Sequence, residues 1–272
     1  MPGPIALLGS GEFTAAMLDV DRELLAATGR ARPRVAIVPT ASWPDGEETF
    51  QTWIAQGRAH FGDLGAEVEA VEIRGPEDAA DPAWVQAIGE ADLVYLSGGK
   101  PGHLLASLRG TPSGAAVAAV HARGGVLAGC SAGAMVLAGR QPRTGRRRFA
   151  RLPVGWADGL GIVAGTAVLP HYDAFPEVLL AALVLAAPGD TVVLGIDEET
   201  AAVGVDGTWQ VRGRGRVTVW RGRHRTRYRD GDVFRVPPGQ GDAGDGDDAG
   251  GAGTTGPAGE APGPSGEAPA ER

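Results

Sequence analysis

Short runs of consecutive apolar residues alternate with segments of helical spacing over the first two-thirds of the chain. Ile5–Leu8 is a candidate strand, and Phe13–Ala27 has helical spacing. Arg34–Pro39 predicts a second strand and Glu47–His60 a second helix. Val68–Ile73, Asp92–Leu96 and Gly125–Ala128 predict three more strands, with helical segments at Pro101–Leu108 and Ser113–Ala122 between the last two. Strands that alternate with helices imply βαβ units, an α/β fold with a mostly parallel sheet and helices on both faces. The last third changes rhythm. Thr191–Ile196, Ala201–Val205, Trp209–Val211 and Val217–Trp220 are short runs with turns between them, and Asp206-Gly207 and Asp230-Gly231 are hairpin signals. They predict antiparallel strands near the C-terminus that extend the same sheet.

Composition divides the chain at about residue 238. Beyond Pro238 there is no Val, Ile, Leu, Met or aromatic residue. Such a segment cannot bury enough surface to offset its ordering entropy, so 239–272 is expected to be a disordered acidic Gly/Ala/Pro tail behind a folded domain of 1–238. The tail sets seven acids against Arg272, most of the formal net charge of −8. The folded part is nearly neutral, so overall acidity carries no information about a partner. Cys130 is the single cysteine, which excludes an intrachain disulfide and a cysteine zinc cluster. The most apolar segment, Val178 to Ala187, is too short to span a bilayer. No basic region followed by a long apolar stretch opens the chain. A cytoplasmic protein without a membrane partner is the expectation.

The densest chemical signal is Gly129-Cys130-Ser131-Ala132-Gly133. It follows a predicted strand and opens a predicted helix, Ala132 to Ala138. That is the context in which G-x-S-x-G forms a nucleophile elbow, with small residues where the turn is tightest. The helix start offers N–H groups and partial positive charge to an oxyanion. The competing reading is a glycine-rich turn with an incidental serine. A serine nucleophile needs a base. Of five histidines, His60 and His121 lie in polar helical stretches and read as surface residues. His224 sits among arginines in a predicted hairpin, and His103 is the fifth. His171 ends the run Ala167-Val168-Leu169-Pro170 and precedes a new helix, so it shares an edge with the elbow if its strand is parallel. An acid should hold the imidazole. Asp197, Glu198 and Glu199 cluster after a strand, and Asp173 and Asp158 compete with them.

Taken in order, Gly129-Cys130-Ser131-Ala132-Gly133-Ala134, Leu169-Pro170-His171 and Gly195-Ile196-Asp197-Glu198-Glu199-Thr200-Ala201 resemble the cyanophycinase and dipeptidase E family of serine peptidases. Leu8-Gly9-Ser10-Gly11-Glu12, Val38-Pro39-Thr40-Ala41-Ser42 and Ser97-Gly98-Gly99 are similar to that family too. The resemblance implies a class I glutamine amidotransferase-like fold and a Ser131–His171–Glu198 triad. It further implies that the Gly99 and Ala132 N–H groups form the oxyanion hole. The implied reaction is hydrolysis of a peptide or isopeptide bond, with aspartyl or isoaspartyl peptides as candidate substrates. Where the family often carries Gly-Gly-Asn or Gly-Gly-x-Gln, this chain has Gly98-Gly99-Lys100-Pro101, so the resemblance does not carry the substrate with it.

Lys100 and the loop arginines Arg146 and Arg147 are candidate substrate-binding residues, arginine being suited to carboxylates by its bidentate geometry. The expected partners are a small peptide and, as an open alternative, a second copy of the chain. No cofactor or metal is implied. The arginines between Arg212 and Arg229 mostly alternate along predicted hairpins. They read as a charged outer face that blocks edge pairing, and nucleic acid is not expected as a partner. Two rival readings remain. One is an α/β-hydrolase-type esterase, whose order of serine, acid, histidine would recruit His224 with Asp197 or Asp173. The other is a non-catalytic binding module on the amidotransferase-like scaffold.

Overall fold

The computed structural model describes residues 1–144 and 153–237. The tail expected over 239–272 and the loop arginines Arg146 and Arg147 lie outside the described residues. Five parallel strands form the heart of one sheet: β1 (Ile5–Leu8), β2 (Arg34–Val38), β3 (Glu67–Ala70), β4 (Leu93–Leu96) and β5 (Val126–Cys130). They lie in the order β1-β5-β4-β2-β3. Every residue of β1, β4 and β5 is buried, because helices cover both faces of a parallel sheet. These helices are α1 (Leu18–Ala27), α2 (Glu47–Asp63), α3 (Pro82–Gly89), α4 (Pro101–Leu108), α5 (Pro112–Ala122) and the short α6 (Ala132–Leu137). The period of two sorts the strand residues. Leu7, Leu96 and Leu127 pack with Leu104, Val117 and Val120 on one face. Leu8, Tyr95 and Ala128 pack with Met17, Leu24 and Phe61 on the other. Local chemistry fixes two helix starts. Asp81 and Thr111 accept backbone N–H bonds as N-caps, each followed by a proline at the first helical position.

The antiparallel strands near the C-terminus are present, but they do not all extend one sheet. The remaining elements are β6 (Ala138–Thr144), β7 (Pro153–Asp158), β8 (Val163–Leu169), α7 (Glu177–Leu185), β9 (Val192–Ile196), β10 (Thr200–Val205), β11 (Thr208–Gly213), β12 (Arg216–Arg221), β13 (His224–Arg229) and β14 (Val233–Arg235). Strands β10, β11 and β14 continue the first sheet beside β1. A second sheet has the order β13-β12-β9-β8-β6-β7, with β6, β8 and β9 parallel. Apolar alternation marks a segment as a strand but does not name its partner, which is why the single extended sheet was the wrong expectation. The first helix also starts later than its spacing suggested. Thr14 hydrogen-bonds Gly11 through both its N–H and its hydroxyl, and Phe13 has φ +60°, so residues 11–14 form a turn. Among the described residues, no helix is long and apolar enough to cross a membrane.

Four short connections join the sheets, and two of them bear on the placement of the candidate catalytic residues. The chain leaves β5 at Ser131, passes through α6 and enters β6 of the second sheet. It returns from β9 to β10 through the turn Asp197–Glu199. Gly9, just past β1, donates its N–H to Thr200 at 2.9 Å. A Cβ on Gly9 would overlap the Asp197 carbonyl. Gly9→Ala therefore forces the return turn away from β1. The expected cost is about 1–3 kcal/mol, read as a lowered melting temperature. An unchanged melting temperature would show that the turn has room to move.

Candidate active site

Ser131 occupies the sharp turn between β5 and α6, with φ +49° and ψ −105°. This is strained for a residue with a side chain. Its N–H donates to the Leu8 carbonyl of the neighbouring strand at 2.9 Å. Gly129 and Gly133 make the turn feasible. A Cβ on Gly129 would lie 2.5 Å from the Gly133 carbonyl carbon, and one on Gly133 would overlap the Leu96 carbonyl. Strand β8 ends at Leu169, which pairs in parallel with Gly195 of β9. His171 and Glu198 lie just past the ends of β8 and β9, so both side chains emerge at one edge. His171 Nε2 lies 3.0 Å from Ser131 Oγ, and His171 Nδ1 lies 2.8 Å from Glu198 Oε1. His171 has left-handed backbone angles, φ +51° and ψ +39°. Ser131, His171 and Glu199 are three of the five non-glycine residues with positive φ among the described residues.

The neighbours of Glu198 hold its turn in place. Asp173 Oδ1 accepts the Glu198 N–H at 2.8 Å. Asp197 is buried and accepts the Arg216 N–H at 2.9 Å. Burial first, and the Asp173 charge second, push its carboxyl up from the ordinary range. Glu199 pairs with Arg214. Asp158 is engaged elsewhere, by Arg140 and at 3.9 Å by Arg109. His224 is exposed and pairs with Arg221, which in turn faces Val192 at the start of β9. It therefore stands at the far end of the second sheet from Glu198, and the arrangement needed for an esterase-type triad is not assembled.

The loop after β4 faces the serine. A Cβ on Gly98 would lie 3.4 Å from Ser131 Cβ. Gly99 has φ +135°, and a Cβ there would overlap the Ala41 carbonyl, so glycine is required. The N–H groups of Gly99 and Ala132 have no hydrogen-bond partner among the described residues, and the one on Ala132 begins a helix. Lys100 Nζ sits 2.9 Å from Asp45 Oδ1, both side chains being partly exposed. Arg146 and Arg147 lie outside the described residues. Several hairpin arginines are paired with acids: Arg212 with Glu23, Arg214 with Glu199, and Arg225 and Arg227 with Glu177. This pairing neutralises much of the face that alternation alone presents as basic.

Cys130 points away from the histidine, into the core. Its thiol donates to Glu12 Oε2 at 2.6 Å. Burial, then the adjacent Glu12, raise the thiol well above its ordinary range, so it stays protonated. Sequence reading gave Glu12 no role. The available signal was an acid within Gly9-Ser10-Gly11-Glu12, immediately after a fully buried strand. Two expectations about histidines need correction. His60 is not a surface residue: Nε2 lies 2.8 Å from Asp21 Oδ2, with both side chains largely inside. His121 is half-buried, with Nδ1 unpartnered among the described residues, and desolvation lowers its pKa. Helix α2 packs its Phe50, Ile54 and Phe61 face inward, and His60, beside Phe61 in sequence, meets Asp21 of α1.

Residues 5–211 match the family model described as peptidase family S51. The chain is 30% identical over 227 residues to a protein named cyanophycinase from a Nostoc species, covering 79% of this chain and 72% of that one. It is 31% identical over 194 residues to a cyanophycinase from Synechococcus elongatus, covering 68% and 58%. The crystal structure of a peptidase from an acI-B1 Actinobacterium superposes with a TM-score of 0.77 at 31% identity, covering 87% of this chain and 98% of that one. A putative peptidase E from Listeria monocytogenes shares the fold, with a TM-score of 0.53 at 18% identity, covering 84% and 99%.

Burial pushes the Asp21 carboxyl above its ordinary value, outweighing the hydrogen bond and charge of His60. A carboxyl raised on folding stabilises fully below its unfolded pKa and loses that contribution as pH rises through the folded one. Asp21→Asn removes this loss. Its stability relative to the parent should therefore increase as pH rises from about 4 through the acid range. Urea unfolding at stepped pH measures it, and a relative stability that falls with pH would contradict the assignment.

Proposed function

The chain belongs to peptidase family S51 and is a serine-type peptidase, and from that premise we propose that Ser131 is the nucleophile, His171 its base and Glu198 the acid that orients the base. The observation that carries this reading is the unbroken line of contacts from Ser131 Oγ through His171 to Glu198, at 3.0 and 2.8 Å. A carboxylate only accepts hydrogen bonds. The Glu198 contact therefore keeps the proton on Nδ1 and leaves Nε2 free to accept the serine proton. Ser131 Oγ attacks the scissile carbonyl carbon while its proton passes to Nε2. The oxygen of the tetrahedral intermediate takes the negative charge, and the Gly99 and Ala132 N–H groups are the donors available to it. Such a donor is worth about 3 kcal/mol. The imidazolium then gives its proton to the leaving nitrogen, and the C–N bond breaks. Water, deprotonated by the same imidazole nitrogen, releases the acyl group and restores Ser131.

The substrate we propose is a small peptide whose acyl residue is acidic, linked through its α- or β-carboxyl. Lys100 directly follows the oxyanion donor Gly99, and its ammonium meets the partly exposed Asp45. That ammonium is the group we assign to a substrate carboxylate, which would compete for it with Asp45. His171 and Glu198 are 36% and 49% exposed, an open site that suits the end of a short chain. The name cyanophycinase carried by two relatives adds cyanophycin to the substrates worth testing.

Alanine variants on one cleaved aspartyl or isoaspartyl dipeptide test the roles. Ser131→Ala and His171→Ala should each lower kcat/KM by about 10⁴-fold or more. Glu198→Ala should cost less, because Glu198 only orients and stabilises the imidazolium. Glu199→Ala should be milder still. Full activity of His171→Ala would defeat the mechanism. Lys100→Met should raise KM about tenfold for acidic acyl residues and leave KM for a neutral acyl residue within about twofold. Equal effects on both would remove Lys100 from substrate recognition.

A further inference from the structure

Glu12 is a buried acid that the proposed proton transfers leave without a task. It is 8% exposed, at the end of the glycine turn after β1. Its two oxygens are occupied separately. Oε1 accepts the Gly98 N–H at 2.7 Å, and Oε2 accepts the Cys130 thiol at 2.6 Å. Gly98 immediately precedes Gly99 in the loop after β4, and Cys130 immediately precedes Ser131 at the end of β5. One carboxylate therefore bridges the residue before the oxyanion donor and the residue before the nucleophile. A side chain at Gly98 would intrude on this bridge, since a Cβ there would stand 2.7 Å from Oε1.

We propose that Glu12 is a positioning residue that fixes the Gly99 N–H relative to Ser131 Oγ, a role that rests on the reading of Gly99 as an oxyanion donor. An oxyanion hole works only when its donors already lie about 3 Å from where the charge develops. The loop after β4 has few ties of its own. Lys100 N–H reaches the Ala41 carbonyl at 2.7 Å, and Ser97 N–H reaches Val38 at 3.2 Å, both toward β2 and away from the serine. Glu12 supplies the tie toward the serine. It acts by reach and acceptance, not by charge, because a negative charge under the hole would oppose the oxyanion.

Two mild variants of the full chain separate these possibilities. Glu12→Gln keeps the length and an acceptor for Gly98. Glu12→Asp keeps the acid but is one methylene short of bridging both partners. The readouts are kcat and KM on a cleaved dipeptide, the rate at which a serine-directed phosphonate labels Ser131, and the melting temperature. Glu12→Gln should hold kcat within about threefold. Glu12→Asp should lower kcat about tenfold or more with KM within about twofold. Phosphonate labelling should fall by the same factor as kcat, since its adduct places an oxygen in the hole. The proposal is overturned if Glu12→Asp keeps kcat per folded molecule, if Glu12→Gln loses as much as Glu12→Asp, or if KM moves with kcat. Exchange of the Gly98 amide in the unmutated protein is an independent check. It should be protected by the Glu12 bond, and exchange at the rate of a free amide also overturns the proposal. Ser131→Ala is measured alongside. Residual turnover or labelling there would remove the reading of the site itself, whatever the Glu12 variants do.

Discussion

Everything at the site depends on the close approach of two backbones at Gly9 and Asp197. Strand β1 ends in the first sheet, and the chain returns to that sheet from β9 through Asp197–Glu199. The Gly9 N–H meets Thr200 at 2.9 Å, and no side chain fits between Gly9 and the Asp197 carbonyl. The bond to Thr200 continues the β1–β10 pairing within the first sheet, and the close contact with Asp197 sets the turn that follows β9 against the end of β1, at the edge where β5, β8 and β9 all end. Ser131 belongs to the first sheet, His171 and Glu198 to the second. The 3.0 Å contact between Ser131 and His171 crosses from one sheet to the other, over a hydrophobic core that the two sheets share.

Three of the strained residues gather around this contact. Ser131, His171 and Glu199 have positive φ, each at a cost of order 1–3 kcal/mol. Their surroundings over-determine them. The Ser131 N–H is bound to Leu8, the Glu198 N–H to Asp173, and Asp197 accepts the Arg216 N–H. Asp173 thus links the turn that carries the histidine to the turn that carries the glutamate, a different task from orienting the imidazole directly. These bonds fix a geometry that the open, partly exposed side chains would otherwise have to find at each encounter with substrate.

Much of this was legible in the sequence because it is written locally. Buried runs such as Ile5–Leu8 and Asp92–Leu96 announce parallel strands, and Gly129–Gly133 announces a tight strand-to-helix turn. What was missed is non-local or too short to carry a period. The second sheet arises from the partners of β6, β8 and β9, which apolar alternation does not encode. Strand β7 follows a segment of weak patterning, and α3 is only eight residues long. His60 looked polar and external because Asp21, its buried partner, is 39 residues away. Glu12 carries no signature of its own, since Gly98 and Cys130 reach it from two other strand ends.

Ser131 and His171 act as one unit: that is the claim on which the function rests. The most direct measurement is a double-mutant cycle on kcat/KM with Ser131→Ala, His171→Ala and the combined variant. If the two side chains perform one proton transfer, the second substitution costs almost nothing once the first is made, and the double variant matches the single ones. Losses that multiply would mean that the two residues act independently, and Ser131 and His171 would not form a catalytic pair.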